Sequence, residues 1–304
     1  TGATPQQFID ILRAFHDGME CAVRLNGSVG SWFPCRTGVR QGYLMAPYLL
    51  NTLYGAALDV WRATLPDDIG IKFHFGTAGR LRQGDWGFPR NNSGKITDTI
   101  YADDTTLLSS AWSNCKASYQ SYTDVMSKFG FTVSLKKTKH LIAGDDDTAG
   151  ETLPGIETKS KFELLGNVVQ RDGGFESEVS NRLQKAGATW ERLKKVCMCN
   201  SLVDTGTRVR CFVTFVLSRL LATCEVWSLP RQQEKRLERF YNARLRAMAG
   251  FTLVRMRVRH VNDTDIRARL QLPPLRVLLD RACLRWAGHC LRMPPERLPH
   301  RLLN

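Results

Sequence analysis

The sequence lacks a long apolar run, and this absence excludes a transmembrane helix. A membrane span needs about 20 apolar residues, whereas the most apolar stretch, Phe212 to Leu221, is short and contains Arg219. Residues 1–5 have neither a basic start nor an apolar segment, so a secretory signal is not expected. The absence of Met at the first position indicates a fragment of a longer chain. We therefore expect a soluble intracellular protein without a membrane partner.

Cysteine pairs with the Cys-x-x-Cys spacing, internal repeats and low-complexity tracts are also absent. The nine cysteines are scattered, and the two closest groups, Cys197-Met198-Cys199 and His289-Cys290, lack the Cys-x-x-Cys spacing typical of zinc sites. Without a secretory signal, the cysteines are expected to be reduced thiols in a reducing compartment, most of them filling the core. The pattern argues against both a disulfide framework and a zinc site.

Acidic residues are scarce in the last third of the chain. Residues 201–304 contain 8 Asp and Glu against 20 Lys and Arg, and 19 of those cations are Arg. Residues 1–200 are nearly balanced, although the whole chain has a net charge of +14. The planar guanidinium group suits phosphate oxygens and stacks on bases. The basic third therefore favours nucleic acid as a partner, with a merely solvated helical surface as the alternative.

The sequence contains enough apolar residues, 43% of the total, to bury a sizeable core. Phe8, Leu12 and Phe15 repeat at helical spacing near the start, and from Phe175 onward nearly every pattern is helical. We therefore predict an α+β region over residues 1–172, followed by a basic all-α region over residues 173–304. Within the first region, helices are predicted over 48–63 and 113–129, an exposed loop over 76–94, a hairpin over 95–110, and a hairpin over 162–169 that turns at 172–174.

Two adjacent carboxylates lie at the expected tip of the hairpin over residues 95–110, in Tyr101-Ala102-Asp103-Asp104. Two neighbouring acids repel each other unless a cation lies beside them. Mg²⁺ accepts carboxylate oxygens and retains positions for water and phosphate. Two such ions, about 4 Å apart, can serve phosphoryl transfer. The tetrapeptide thus predicts a Mg²⁺ site at Asp103 and Asp104, with an ordinary exposed turn as the alternative.

Between these β-rich flanks, Tyr-Ala-Asp-Asp resembles the catalytic turn of reverse transcriptases. The segment Gly38-Val39-Arg40-Gln41-Gly42, with Tyr43 and then Leu44-Met45-Ala46-Pro47, resembles the RQG…SP block of that family. The resemblance implies that Arg40, Gln41, Gly42 and Tyr43 contact nucleotide or template. Glycine allows close backbone approach and a glutamine amide can bond a sugar or base.

Three further segments follow in the order of the same family. Leu135-Lys136-Lys137-Thr138-Lys139 resembles the basic segment after the catalytic hairpin, which implies that Lys137 meets the pyrophosphate leaving group. Phe162-Glu163-Leu164-Leu165-Gly166 resembles the hairpin that grips the primer, with Leu165 and Gly166 at the primer strand. Arg285-Trp286-Ala287-Gly288-His289 and Arg292-Met293-Pro294 resemble the tail of non-LTR, or LINE-type, retrotransposon polymerases.

The sequence departs from the family at the third carboxylate of the metal site, which the family has upstream of the RQG block. Asp10, in Asp10-Ile11-Leu12-Arg13-Ala14-Phe15, mimics the motif around that acid. We reject it, because its apolar neighbours have helical rather than strand spacing. Smaller departures are Ala46 where Ser is usual and Leu164 where Tyr is usual. Tyr43 occupies a normally small or acidic position, where it would narrow the nucleotide pocket, stack on template or serve as a half-buried aromatic.

The resemblance implies a right-hand polymerase fold. Residues 1–172 would be part of the fingers and palm, an antiparallel sheet with helices, and residues 173–304 a basic helical thumb and C-terminal region. The implied activity is RNA-directed DNA synthesis from an RNA template, a DNA primer and deoxynucleoside triphosphates, with two Mg²⁺ ions, in the nucleus for the parent element. Leu237, Tyr241, Leu245 and Met248 form an apolar stripe at helical spacing, which is expected to belong to the core. Contacts with the nucleic-acid backbone are expected from four arginines of the same helix: Arg236, Arg239, Arg244 and Arg246.

The missing upstream acid implies that this chain alone is inactive. Two alternatives remain open at this point. The chain could be a non-catalytic remnant that binds nucleic acid with a steep dependence on salt. It could also be a scaffold with a similar fold that binds neither metal nor nucleic acid strongly.

Overall fold

The computed structural model describes residues 5–35, 38, 42–76, 91–144 and 152–303. Helices and short strands alternate up to residue 170, and the chain is mainly helical after it. The α-helices are α1 (Gln6–His16), α2 (Ala46–Thr64), α3 (Trp112–Lys128), α4 (Glu176–Leu193), α5 (Thr205–Cys211), α6 (Ser218–Leu220), α7 (Arg231–Met248), α8 (Leu253–Val258), α9 (Asp263–Leu270), α10 (Leu275–Leu291) and α11 (Leu298–Leu303). Lys194–Met198 and Phe212–Leu217 are π-helical, and Cys224–Val226 is a 3₁₀ turn.

The strands are β1 (Glu20–Cys21), β2 (Arg24–Leu25), β3 (Ser28–Val29), β4 (Phe33–Pro34), β5 (Ile71–Gly76), β6 (Asn91–Ile96), β7 (Asp98–Tyr101), β8 (Asp104–Leu107), β9 (Lys139–His140), β10 (Glu157–Thr158), β11 (Lys161–Leu164) and β12 (Asn167–Gln170). They form two-stranded sheets, of which β1–β4, β2–β3, β5–β6 and β11–β12 are antiparallel. The mixed helix-and-strand class is confirmed. The pair β9–β10 is parallel, unlike the antiparallel sheet that was predicted.

The chain divides into two compact units that interleave along the sequence. The first contains Thr1–Asp67, Ile100–Thr106 and Ser118–Thr132, and the second contains Asp68–Thr99, Leu107–Ala117 and Val133–Asn304. This division follows packing rather than chain order. The division at residue 172 into palm and thumb regions stays a prediction.

The core of the first unit forms between α2 and α3. Buried positions on α2 follow helical spacing at Tyr54, Ala57, Leu58 and Trp61. The ring of Trp61 meets that of Tyr122 on α3 edge-on, with 5.5 Å between centroids. Such aromatic pairs add about 0.5–1.5 kcal/mol beyond the area that they bury. Helix α1 has no buried residue.

The core of the second unit lies among the helices after residue 175. Val179, Ala186 and Trp190 of α4 are fully buried, and they pack with Leu237 and other residues of α7. On α7, Leu237, Tyr241, Leu245 and Met248 form the predicted apolar stripe and are all buried. This confirms that the stripe is part of the core.

Two of the predicted turn and loop positions are wrong. The predicted loop over 76–94 includes residues of β6, which pairs with β5 from Ile71–Ile96 to Gly76–Asn91; residues 77–90 lie outside the described part of the chain. The second hairpin turns at Leu165-Gly166 rather than at 172–174. Both Leu165 (φ 50°) and Gly166 (φ 82°) are left-handed, the geometry that two-residue hairpin turns favour. The Asp172-Gly173 turn instead leads into α4.

Seven of the nine cysteines are free thiols: Cys115, Cys197, Cys199, Cys211, Cys224, Cys283 and Cys290. Only Cys224 and Cys290 are buried, so the prediction that most of the cysteines fill the core is wrong. Burial raises the pKa of Cys224 to about 11, which makes this buried thiol unreactive near neutral pH. Among the described helices, none is both long and apolar enough to cross a bilayer.

Candidate functional site

The hairpin of β7 and β8 presents the paired carboxylates at its tip. Ala102 and Asp103 form the two-residue turn, and Ala102 has a left-handed backbone with φ 54°. For a residue with a Cβ this conformation costs on the order of 1–2 kcal/mol, and such strain clusters at functional sites. Asp103 and Asp104 are both exposed. The sequence-based hairpin prediction is therefore confirmed at the level of local structure.

A buried group of hydroxyls holds this hairpin against the helices of the first unit. Tyr54 Oη on α2 is hydrogen-bonded to Thr105 Oγ1, the residue after Asp104. The same Tyr54 Oη lies 2.6 Å from Tyr122 Oη on α3. Both tyrosines are only 8% exposed, and the ring of Phe131 packs edge-on against Tyr54. The contact fixes the strand directly beside the carboxylate pair.

The carboxylate groups of Asp103 and Asp104 suit a divalent cation, which they would contact from one side only. Carboxylates are the hard oxygen ligands that Mg²⁺ prefers, and their exposure leaves room for water and phosphate. Neither Asp103 nor Asp104 forms an ion pair or side-chain hydrogen bond with another described residue. No group of three or more His, Cys, Asp or Glu side chains able to hold a metal occurs within the described ranges.

Asp10 lies on α1, as its helical neighbours predicted. Its carboxylate accepts a hydrogen bond of 2.9 Å from Gln6 Nε2 and lies 3.8 Å from Arg13 Nη1. Both partners lie three or four residues away on the exposed surface of the same helix. These contacts are therefore local to α1.

The RQG block is described only in part. Arg40 and Gln41 lie outside the described residues. Gly42 has φ 88°, a left-handed conformation that favours glycine, and no atom of the other described residues, its chain neighbours aside, lies within 4 Å of where its Cβ would be. The Tyr43 ring lies 5.8 Å from the rings of both Phe15 and His16 at the end of α1. Tyr43 is therefore a half-buried aromatic that packs on a helix, and its contact with nucleotide or template stays a prediction.

Lys137 belongs to the second unit and is exposed. It sits in a turn that is closed by a hydrogen bond of 3.1 Å from Lys137 N to Ser134 O. Its side chain forms no hydrogen bond or ion pair with another described residue.

The turn of the β11–β12 hairpin is held by a buried ion pair on α4. Arg182 Nε donates to Glu178 Oε1 at 2.5 Å, and these side chains are 7% and 3% exposed. Arg182 Nη2 donates to Gly166 O at 2.8 Å, and Glu178 Oε2 accepts from Val168 N at 2.7 Å. Each charge is therefore satisfied by the hairpin backbone as well as by its partner. Leu165, at the tip, is 51% exposed.

Three of the four predicted α7 arginines have partners within the second unit. Arg246 Nη1 donates to both carboxylate oxygens of Asp263, at 2.8 and 3.0 Å. Arg244 lies over the rings of Trp190 and Phe240, with 5.3 and 4.7 Å from its guanidinium carbon to the ring centroids. These contacts stabilise the helix packing and compete with phosphate binding.

Arg236 Nη2 donates to Ser180 Oγ at 3.0 Å, and its Nη1 lies 3.8 Å from Glu176 Oε1. Arg239 is exposed and makes no side-chain hydrogen bond or ion pair with another described residue. Arg239 is therefore the α7 arginine best placed to meet a ligand.

Sequence reasoning missed Tyr54, Tyr122, Glu178 and Arg182. The i, i+4 spacing of Glu178 and Arg182 is a signal of an ion pair on a helix. Nothing in that spacing indicates that the pair is buried or that it bonds the hairpin. The tyrosine pair joins residues 68 positions apart and leaves no local signal.

Residues 3–169 match the family model described as reverse transcriptase (RNA-dependent DNA polymerase). A Caenorhabditis elegans protein, described as transposon-derived, is 26% identical over 215 residues, which cover 68% of this chain and 76% of that protein. The family match includes the Asp103–Asp104 hairpin, Lys137 and the β11–β12 turn.

Proposed function

This chain belongs to the reverse transcriptase family, and we propose that it is the palm and thumb portion of a LINE-type retrotransposon polymerase. The observation that carries the proposal is the exposed carboxylate pair of Asp103 and Asp104 at a strained hairpin tip. The hydroxyl group of Tyr54 is hydrogen-bonded to Thr105, the residue that follows this pair on β8. Such an arrangement holds two hard oxygen ligands in fixed positions and leaves their other side open.

The proposed reaction extends a DNA 3′-hydroxyl on an RNA template. Asp103 and Asp104 would hold Mg²⁺, which when bound activates the attacking hydroxyl and stabilises the leaving oxygen. Lys137 would neutralise the departing pyrophosphate. Leu165 and Gly166 would steady the primer strand, with the turn backbone kept in place by the buried Arg182.

The RQG block would place the incoming nucleotide. Gln41 would offer its amide to a sugar or base, and Arg40 would meet phosphate or template. Gly42, in its left-handed conformation, would let the backbone approach the ligand. Tyr43, packed on α1, would form a wall of that pocket rather than a free stacking platform.

The LINE assignment rests on the tail motif around Trp286 and Arg292, and the transposon-derived relative supports an origin in a mobile element. The nuclear location is proposed for the parent element with this assignment. The two-unit division does not bear on this assignment.

We further propose that this chain alone does not polymerise DNA. Two-metal chemistry needs ligands on both sides of the ion pair, and no third ligand joins the hairpin among the residues that the structure describes. The same observation favours, as the second candidate, a non-catalytic protein that binds nucleic acid through its basic helical region.

Primer extension on an RNA template with Mg²⁺ tests these proposals. The chain alone is compared with the chain joined to the upstream segment of a related element. Background incorporation by the first and extension by the second are expected. In the joined chain, Asp103→Asn or Asp104→Asn should lower the rate on the order of 10²-fold or more. Asp17→Asn, an exposed acid in the same unit, is the matched control.

Three results would change the assignment. Extension by the chain alone that is lost in Asp10→Asn would make Asp10 the third carboxylate. Extension that survives Asp103→Asn would contradict the metal site. Nucleic-acid binding without extension in the joined chain would favour the non-catalytic role.

A further inference from the structure

Helix α10 carries a row of arginines that the proposed polymerase chemistry does not use. Arg281 and Arg285 lie on α10, and Arg292 is the C-cap residue that follows its last turn. The three are separated by four and seven residues, and all three are exposed. At about 100° per residue, these spacings place the three side chains within about 40° of one another around the helix. Together with Gly288, which lies on the same side, we call them the α10 stripe.

The charges of the α10 stripe are available to a ligand. Arg281, Arg285 and Arg292 form no ion pair and no side-chain hydrogen bond with any other residue in the described ranges. Arg276 on the same helix differs, because its guanidinium lies 3.1 Å from Glu234 and 2.8 Å from Asp280. The three arginines of the α10 stripe therefore keep their positive charge unpaired within the described residues, whereas Arg276 is paired with two carboxylates.

Gly288 allows the Arg292 side chain to lie close against the surface of α10. A Cβ at position 288 would lie 3.3 Å from Arg292 Nη1, so the Arg292 side chain folds back over the glycine. Glycine inside a helix costs about 1 kcal/mol relative to alanine. The close approach that it allows brings the Arg292 guanidinium back along the helix towards Arg285.

The surroundings of the stripe favour nucleic acid over a lipid surface. Membrane-surface helices bury a broad apolar face in the lipid, but on α10 Leu275 and Leu279 pack in the protein core. The exposed leucines of this helix, Leu284 and Leu291, are two side chains seven residues apart and do not form such a face. Beside the stripe, the exposed His289 ring lies 5.5 Å from the ring of Trp286. Aromatic rings next to cations are typical of surfaces that bind a phosphate backbone and stack bases.

We propose that the α10 stripe binds the sugar–phosphate backbone of a nucleic acid. It is an anchoring surface distinct from the α7 arginines, most of which are engaged in the protein. The inference rests on the proposed function, which makes nucleic acid the substrate. It gives a role to the tail motif, whose Arg285, Gly288 and Arg292 become the residues of a binding surface.

The test compares the triple variant Arg281→Gln, Arg285→Gln, Arg292→Gln with the unmodified 304-residue chain. Binding is measured by fluorescence anisotropy at several salt concentrations, with single-stranded RNA, single-stranded DNA and an RNA–DNA duplex. The slope of log K against log salt should fall by about 0.7–0.9 for each phosphate that the variant no longer neutralises. A decrease of about two to three in the slope is expected for the nucleic acid that the stripe prefers.

A charge-matched triple variant provides the control: Arg192→Gln, Lys195→Gln and Lys235→Gln. These exposed cations belong to the same unit and have no side-chain partner among the described residues. A much smaller decrease in slope is expected for them. Equal decreases in both triple variants would mean that binding reflects diffuse charge and would overturn the inference.

A second variant, Gly288→Glu, places a carboxylate among the three guanidinium groups. It should weaken binding at least tenfold without lowering the thermal midpoint, because glutamate is a better helix former than glycine and only the flexible end of Arg292 must move. The last measurement is binding to vesicles of phosphatidylcholine and phosphatidylserine. If the unmodified chain binds these vesicles and the triple variant does not, the choice of nucleic acid over a lipid surface is overturned.

These measurements distinguish failure of this inference from failure of the proposed function. Absence of binding to every nucleic acid by the unmodified chain would contradict both. Salt-dependent binding that neither the triple variant nor Gly288→Glu alters would contradict only the role of the α10 stripe.

Discussion

The hydroxyl groups of Tyr54 and Tyr122 lie 2.6 Å apart inside the first unit, and Tyr54 is also hydrogen-bonded to Thr105. Two helices are thereby tied to the strand that begins with Asp104. Since both rings are buried, neither hydroxyl can exchange its partner for water without opening the core.

Tyr54→Phe should destabilise the first unit by about 1–3 kcal/mol, because Thr105 and Tyr122 would both lose their hydrogen bond to the Tyr54 hydroxyl group. Urea unfolding followed by tryptophan fluorescence measures the change. Tyr48→Phe on the same helix is the control, since that ring is 66% exposed and should have an effect near zero. Equal stability of the two variants would show that the hydroxyl group does not support the hairpin.

Mg²⁺ should raise the thermal midpoint of the unmodified chain, because a ligand that binds only the folded state stabilises it. Asp103→Asn should abolish most of this rise and leave the midpoint without metal nearly unchanged, since Asp103 is exposed. Differential scanning fluorimetry over a Mg²⁺ titration is the measurement. Identical responses to Mg²⁺ in both proteins would exclude metal binding at this carboxylate.

Arg182→Met should destabilise the second unit by about 3–5 kcal/mol, because it leaves the Glu178 carboxylate buried without its cation. Lys185→Met is the matched control on the same helix. Lys185 pairs with Glu163 of the same hairpin at 2.8 Å, but the side chains are 39% and 54% exposed. An exposed pair contributes about 1 kcal/mol or less. Chemical unfolding of the two variants distinguishes them, and comparable destabilisation would refute the importance of burial.

Arg246→Gln and Arg239→Gln should affect different properties, stability in the first variant and nucleic-acid binding in the second. Arg246 holds Asp263 with two hydrogen bonds and is 19% exposed, so its removal should lower the thermal midpoint. Arg239→Gln should leave the midpoint unchanged and reduce the salt slope of nucleic-acid binding by about 0.9 if it meets one phosphate of a duplex. Thermal melts and anisotropy titrations of both variants check this assignment of roles.

Acid should weaken the second unit through His140. Burial lowers the pKa of this imidazole, whose ring lies 5.1 Å from that of Trp112. The folded state therefore binds a proton less readily than the unfolded state, whose histidine titrates at about pH 6.5. The contribution is complete above that pH and is lost as pH falls through the lower folded pKa.

His140→Gln should flatten the pH dependence of stability over this window, as measured by urea unfolding between pH 7.5 and pH 5. The carboxyl of Glu157 titrates lower, because hydrogen bonds from Lys159 and Lys139 lower its pKa below the usual 4.5. An unchanged pH profile in His140→Gln would assign the acid sensitivity to other groups.

Local sequence patterns were sufficient for the hairpin at Asp103 and for the helical stripe on α7. A two-residue turn between strands and an apolar repeat of 3.6 residues depend on nearby residues only. The Leu165-Gly166 turn was missed although it is equally local. Asp172-Gly173 was a stronger turn signal by composition, and it marks the entry to α4 instead.

The sequence by itself determined the class of fold, the carboxylate pair and the excess of arginine after residue 200. Only the tertiary structure decided which arginines are free. Arg246 is paired with Asp263 and Arg182 with the carbonyl of Gly166, whereas Arg285 projects from α10 without a partner among the described residues. The reason is physical: charge is a property of the residue, but its neutralisation depends on groups that folding brings within about 4 Å, whatever their separation along the chain.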